Sequence, residues 1–98
     1  MIEFEWDLNK ARLNLRKHGV AFKEAATVFR DPLSITFDDP DHSEEEERYI
    51  IIGLSDAGRL LMVSHTNRGN RIRVIHAREL TRSEREAYEE EIGRRQNG

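Results

Sequence analysis

Apolar and polar residues alternate along this chain with two different periods, and the switches between them mark its elements. Ile2 to Glu5 is apolar at every second position and predicts a short strand. Asp7 then stands where an N-cap belongs, with Leu8, Ala11 and Leu15 at helical spacing behind it. That helix should stop at His18-Gly19, because glycine enters the left-handed conformation without a Cβ clash. Phe22, Ala25, Ala26 and Phe29 recur at i, i+3, i+4 and i+7 and predict a second helix. Asp31-Pro32 ends it, since proline disfavours helix at the residue before it.

From Leu33 the period becomes two, with Leu33, Ile35 and Phe37 on one side and Ser34, Thr36 and Asp38 on the other. Arg48 to Leu54 is rich in Ile and Tyr, Ser55-Asp56-Ala57-Gly58 is a turn, and Arg59 to Thr66 returns with Leu61 and Val63 on one face. After a turn at Asn67 to Asn70, Arg71 to Arg78 read as a further β segment. Ile72 and Val74 share one face of it, and Arg71, Arg73 and Ile75 the other. Thr81 and Glu84 form a capping box that opens a last helix through about Ile92, with a narrow apolar stripe of Ala87, Tyr88 and Ile92. The order reads β-α-α-β-β-β-α, an α+β fold with helices packed on an antiparallel sheet. We expect a single domain over residues 1–98, with 93–98 as a frayed tail.

The chain of 98 residues is long enough to bury one modest core without covalent staples. It has no cysteine, and its histidines at 18, 42, 65 and 76 are too scattered for a closed zinc site, so a reducing cytoplasm is the expected location. MIEFEWDLNK carries acid where a signal peptide carries base, and no apolar stretch approaches membrane-spanning length. The formal charge of −3 hides a segregation. Residues 38–47, DDPDHSEEEE, hold seven of the nineteen acids and no base, which leaves sixteen bases against twelve acids elsewhere. Residues 10–23 carry Lys10, Arg12, Arg16, Lys17 and Lys23 without an acid, and 59–85 carry seven arginines against Glu79 and Glu84. Phosphate affinity comes from such basic segments, so nucleic acid is a candidate partner despite the acidic total.

Several of these residues form a set: Phe4-Glu5-Trp6-Asp7, Lys10, Asn14, Lys17-His18-Gly19, Phe22, Ala25, Phe29, Asp31-Pro32, then Glu47-Arg48, Gly53, Arg73 through Arg78, Glu84-Arg85 and Tyr88. In this order and separation the chain resembles the BrnT toxin family from about residue 3 to 90. The resemblance implies a type II toxin with a fold similar to the RelE ribonucleases, acting on RNA without a cofactor or metal. It also implies a cognate antitoxin, BrnA-like, whose own domain binds operator DNA and which holds the toxin in a hetero-oligomer. One position departs: His76 stands where members of that family usually carry a small residue.

Cutting RNA without a metal needs a base for the 2′-hydroxyl proton, cations for the pentavalent phosphate and an acid for the leaving oxygen. Arginine suits the second task, since its fork binds two phosphate oxygens and keeps its charge. The candidate catalytic residues are His18, Arg48, Arg73 and Arg78; the candidate RNA-binding residues are Lys10, Lys17, His65, Arg71 and Tyr88. Each has a plainer alternative. The arginines can solvate an exposed sheet, and Arg78 joins the face of Arg71 and Arg73 only if the strand bulges or ends early. His18 ends a helix whose dipole favours cations, so it can protonate a leaving group or merely cap the last carbonyls. Arg48 can reach phosphate or tie down the acidic loop, and His65 shares parity with Leu61 and Val63 at the edge of the core. Trp6 is expected in the core, and Tyr88 either anchors the last helix or faces substrate. The loop with His42 and Glu47 lacks the spaced ligands and turn glycines of a metal site; it can be solvated, repel RNA or dock a basic antitoxin segment. A non-catalytic nucleic-acid-binding or antitoxin-binding module is the alternative to the enzyme.

Overall fold

The computed structural model describes residues 2–39 and 46–97, so most of the acidic loop, with His42, lies outside the described residues. Its elements are β1 (Glu3–Glu5), α1 (Leu8–His18), α2 (Phe22–Thr27) with a 3-10 turn over Val28–Arg30, β2 (Ile35–Asp38), β3 (Arg48–Leu54), β4 (Leu60–Arg68), β5 (Arg71–Glu79) and α3 (Arg82–Asn97). The expected α+β fold is present, with one strand more than the order written from the sequence. All four β segments after α2 are strands, because β4 and β5 are separated by only the Gly69-Asn70 turn, with Gly69 at φ 62°.

The strands lie in the order β1-β5-β4-β3-β2. The last four form an antiparallel meander, but β1 joins β5 in parallel, through Glu3 opposite Arg71 and Glu5 opposite Arg73. The sheet is therefore mixed rather than antiparallel. A local hydrophobic pattern cannot record which edge a three-residue strand will join.

The local signals of α1 hold. Asp7 accepts the Lys10 amide at 3.0 Å, which lowers its carboxyl pKa, and Gly19 at φ 70° donates to the Leu15 carbonyl at 2.9 Å. Its buried face is not the one the leucines suggested. Asn14 is buried, while Leu8 and Leu15 are 68 % and 52 % exposed. The core comprises Val20, Phe22, Ala25 and Val28 from the helical side against Ile51, Leu61, Val63, Val74 and Ala77 of the sheet. Each fully buried aliphatic or aromatic side chain there contributes about 1.5–3 kcal/mol. Glu24 of α2 accepts from Ser55 at 2.7 Å and pairs with Arg59, which also donates to the Gly19 carbonyl at 3.1 Å. The β3-β4 turn is thereby tied to both helices.

Several boundaries differ from expectation, and β4 runs from Leu60 to Arg68 rather than from Arg59 to Thr66, which leaves only Gly69-Asn70 for the turn. β2 begins at Ile35 rather than Leu33, because the Asp31 carboxylate accepts the Leu33 amide at 2.9 Å and makes a turn of residues 31–34. The Thr81/Glu84 capping box forms, with the Thr81 amide 2.8 Å from Glu84. The helix behind it runs to Asn97, beyond the expected end near Ile92, with Arg94 paired to Glu90 and Glu91 and Arg95 to Glu91. No described helix is long and apolar enough to cross a membrane.

Candidate active site

One face of the sheet carries α1 and α2 and the other carries the arginines, with Glu84 of α3 reaching Arg78 there. Leu61, Val63 and His65 of β4 are buried on the helix side, so Met62, Ser64 and Thr66 lie on the other, open side by strand alternation, where Thr66 is itself covered and donates to the Glu47 carbonyl at 2.7 Å. Pairing then places Glu5, Arg73, Thr66 and Arg48 in one row across four strands. β5 carries an extra residue, Ile75, because His65 pairs with Val74 while Ser64 pairs with His76. This bulge reverses the parity of the remaining β5 residues, so His76 and Arg78 share the open face with Arg71 and Arg73. The condition under which the three arginines were expected to meet on one face is satisfied.

Most of these arginines are engaged by carboxylates. Arg73 donates to Glu5 at 2.8 Å, Arg71 to Glu3 at 3.2 Å, and both fork nitrogens of Arg78 bond Glu84 at 2.8 and 2.9 Å. The Arg78 bonds, with the Thr81 amide, hold the Glu84 carboxyl at about 2. Arg48 is 3.7 Å from Glu46, and its buried Nε has no hydrogen-bond partner among the described residues.

A second cluster forms at the sheet edge. β1 pairs with residues 71–73, and among the described residues the rest of β5 has no strand neighbour on that side. Asn14 takes that place. Its amide nitrogen donates to the carbonyls of Ala77 at 2.8 Å and Val20 at 2.9 Å, and its oxygen accepts the Ala77 amide at 3.1 Å. One helical turn on, His18 meets His76 with their Nε2 atoms 3.1 Å apart and their rings perpendicular. Such a contact is a hydrogen bond only when one ring supplies a proton and the other a lone pair. The His76 pKa is lowered, first by burial and then by the charges of His18, Arg78 and Lys17, which favours the neutral form at this ring. Lys10, Leu13, Asn14, Lys17, His18, Ile75 and His76 line a hollow of about 160 Å³ there.

The structure thus gathers Lys10, Lys17 and His18 at the edge, and Arg48, Arg71, Arg73 and Arg78 on the adjoining open face. Two of the expected RNA contacts lie apart from these clusters and take the structural alternative already open to them. His65 is buried on the helix side, edge-on to Phe29 with ring centroids 4.7 Å apart, and burial lowers its pKa; the packed sheet separates it from the arginines. The Tyr88 hydroxyl donates to the Leu33 carbonyl at 3.1 Å, so it anchors α3 instead of presenting a free hydroxyl. Trp6 packs against Phe22 as expected of a core residue.

Sequence reasoning missed His76 as a partner of His18, Asn14 as the clamp between α1 and β5, and Glu5 and Glu84 as arginine partners. The i+4 spacing of Asn14 and His18 was the available signal; it places both on one face of α1. Among the described residues, no group of three or more His, Asp or Glu side chains is placed to hold a metal ion.

Comparison with known proteins gives two findings. Residues 6–84 match the family described as ribonuclease toxin, BrnT, of type II toxin-antitoxin system. The fold is similar to the crystal structure of the Brucella abortus ribonuclease toxin BrnT, with a TM-score of 0.62 and 20 % identity over 84 % of this chain and the whole of that one. No curated relative matches by sequence.

Proposed function

The chain belongs to the BrnT family of ribonuclease toxins of type II toxin-antitoxin systems, and we propose that it cleaves RNA without a metal ion, with His18 as acid and His76, at the position where the chain departs from the family pattern, as base. The contact between those two rings carries the reading, because it sets two ring nitrogens 3.1 Å apart, one able to accept a proton while the other donates one. His76, whose neutral form is favoured, accepts the 2′-hydroxyl proton. The 2′-oxygen bonds to phosphorus, the bond from phosphorus to the 5′-oxygen breaks, and His18 returns a proton to the leaving oxygen. The products are a 2′,3′-cyclic phosphate and a 5′-hydroxyl. In-line displacement requires base and acid on opposite sides of phosphorus, so the two rings part as the phosphate enters.

Lys10 and Lys17 draw the backbone to the edge, and Arg48, Arg71, Arg73 and Arg78 steady the phosphates across the open face. The chain acts as a single toxin domain in the cytoplasm, where it halts growth until covered by its antitoxin. We infer that this antitoxin is BrnA-like, binds DNA through its own domain, and holds the toxin in a hetero-oligomer.

The test is cleavage of RNA by the purified, antitoxin-free chain in EDTA, with the ends of the fragments identified. We expect cyclic phosphate ends, and a loss of about 10²–10⁴-fold in rate for His18→Ala and for His76→Ala at unchanged folding. Activity restored only by a divalent cation overturns the metal-independent mechanism. RNA that is bound but left intact makes the chain a binding module.

A further inference from the structure

Helix α1 leaves Leu8, Leu13 and Leu15 at 68 %, 59 % and 52 % exposure. Its buried face is taken by Ala11, Asn14 and His18, so Leu8 and Leu15, seven residues apart, fall together on one flank with Arg12 between them. The helix also carries Lys10, Arg16 and Lys17, and it contains no acid. Among the described residues no ion pair reaches any of these four cations. The contrast with β5 and α3 is sharp, since Arg71, Arg73, Arg78, Arg82, Arg94 and Arg95 each meet a glutamate there. α1 is therefore left unsatisfied in two respects, by apolar area and by positive charge.

RNA phosphates would answer the cations but give no reason for leucines held in water. Apolar residues at i and i+7 with cations beside them are instead what an amphipathic helix of opposite charge recognises. We infer that the outer face of α1 is the docking surface for the antitoxin, through an amphipathic segment that sets apolar side chains on Leu8 and Leu15 and carboxylates against Arg12 and Arg16. This rests on the antitoxin that a type II system requires and not on the proposed histidine chemistry. The same helix supplies Lys17 and His18 to the hollow, so an acidic segment seated on it also lowers the positive potential that RNA meets.

The experiment measures the affinity of the full-length chain for the antitoxin encoded beside it, alongside RNA binding by the free chain. The double variant Leu8→Glu/Leu15→Gln keeps good helix formers at exposed positions, and Arg12→Glu/Arg16→Glu reverses the charge without touching the core. Leu54→Asp, at a leucine 48 % exposed on β3, is the control. Each double variant should weaken antitoxin binding by on the order of a hundredfold while Leu54→Asp leaves it unchanged, and the wild-type affinity should fall as salt is raised. Unchanged affinity in both double variants, at wild-type unfolding midpoints, overturns the inference. So does loss of RNA binding with antitoxin affinity intact, which would assign the face to RNA.

Discussion

Replacing Asn14 by alanine removes the side chain that joins α1 to the unpaired edge of β5. The residue is 6 % exposed and makes three hydrogen bonds, two donated to the carbonyls of Ala77 and Val20 and one accepted from the Ala77 amide. A net contribution of about 1 kcal/mol for each bond gives about 3 kcal/mol, and a backbone group left dry raises the figure. Domains of this size hold about 5–15 kcal/mol in total, so the variant should stay folded and lose a large part of its margin. Asn14→Asp is the sharper test. It keeps an oxygen for the Ala77 amide but turns a second oxygen toward two carbonyls, so near neutral pH it should be at least as unstable as alanine. Acidification should narrow its deficit, because a protonated carboxyl can again donate to one carbonyl. Urea unfolding at several pH values, with the slope compared among variants, measures both effects. A deficit for Asn14→Ala below about 1 kcal/mol at unchanged slope, or an Asn14→Asp as stable as wild type, would refute the clamp.

Two further outcomes rest on other contacts. A Cβ added at Gly53 would meet Asp31 Oδ2 and Ser34 Cβ at 3.0 Å and Val28 Cγ1 at 3.1 Å; since that Asp31 oxygen also accepts the Leu54 amide at 2.8 Å, Gly53→Ala should cost about 1–3 kcal/mol in thermal or urea unfolding, and a neutral result would show that the turn can give way. Glu84→Gln should cost about 1 kcal/mol near neutral pH, once solvent screening of this partly exposed pair is allowed for. The folded carboxyl titrates near 2 against an ordinary 4.5, so its contribution is complete above about 4.5 and fades as pH falls toward about 2; a gap between variant and wild type that persists unchanged through that window contradicts the assignment.

What the sequence discloses here is local. The Asp7 cap, the Gly19 stop, the Thr81/Glu84 box and the β3-β4 hairpin each need only a few adjacent residues, and each is present. The misreadings involve pairings between distant residues. Nothing near Glu3–Glu5 states that it will run parallel to residues 71–73, and no glycine or proline marks the extra residue at Ile75. Hydrophobic periodicity gave α1 a buried stripe of Leu8, Ala11 and Leu15, whereas the helix turns a polar residue inward because an open strand edge demands hydrogen bonds more than apolar area. His65 shows the converse, since its parity with Leu61 and Val63 already pointed to the edge of the core, where it is buried.

The relative standing of arginines and histidines changes for the same reason. By residue type the arginines come first, because no other side chain binds phosphate as well. In the fold Arg71, Arg73 and Arg78 already face Glu3, Glu5 and Glu84, so a phosphate must exchange with a carboxylate to reach them. Such an exchange keeps the charge assistance but gains little net attraction, and it frees a negative glutamate beside the substrate. Lys10, Lys17 and His18 carry no ion pair among the described residues and flank a ring whose pKa is lowered by burial and then by its charged neighbours. On the proposed reading, attraction of RNA should therefore begin at the edge held by Asn14, with the sheet arginines engaged after the backbone has arrived. The bulge at Ile75 is what makes those two regions contiguous, since without it His76 and Arg78 would point into the helices.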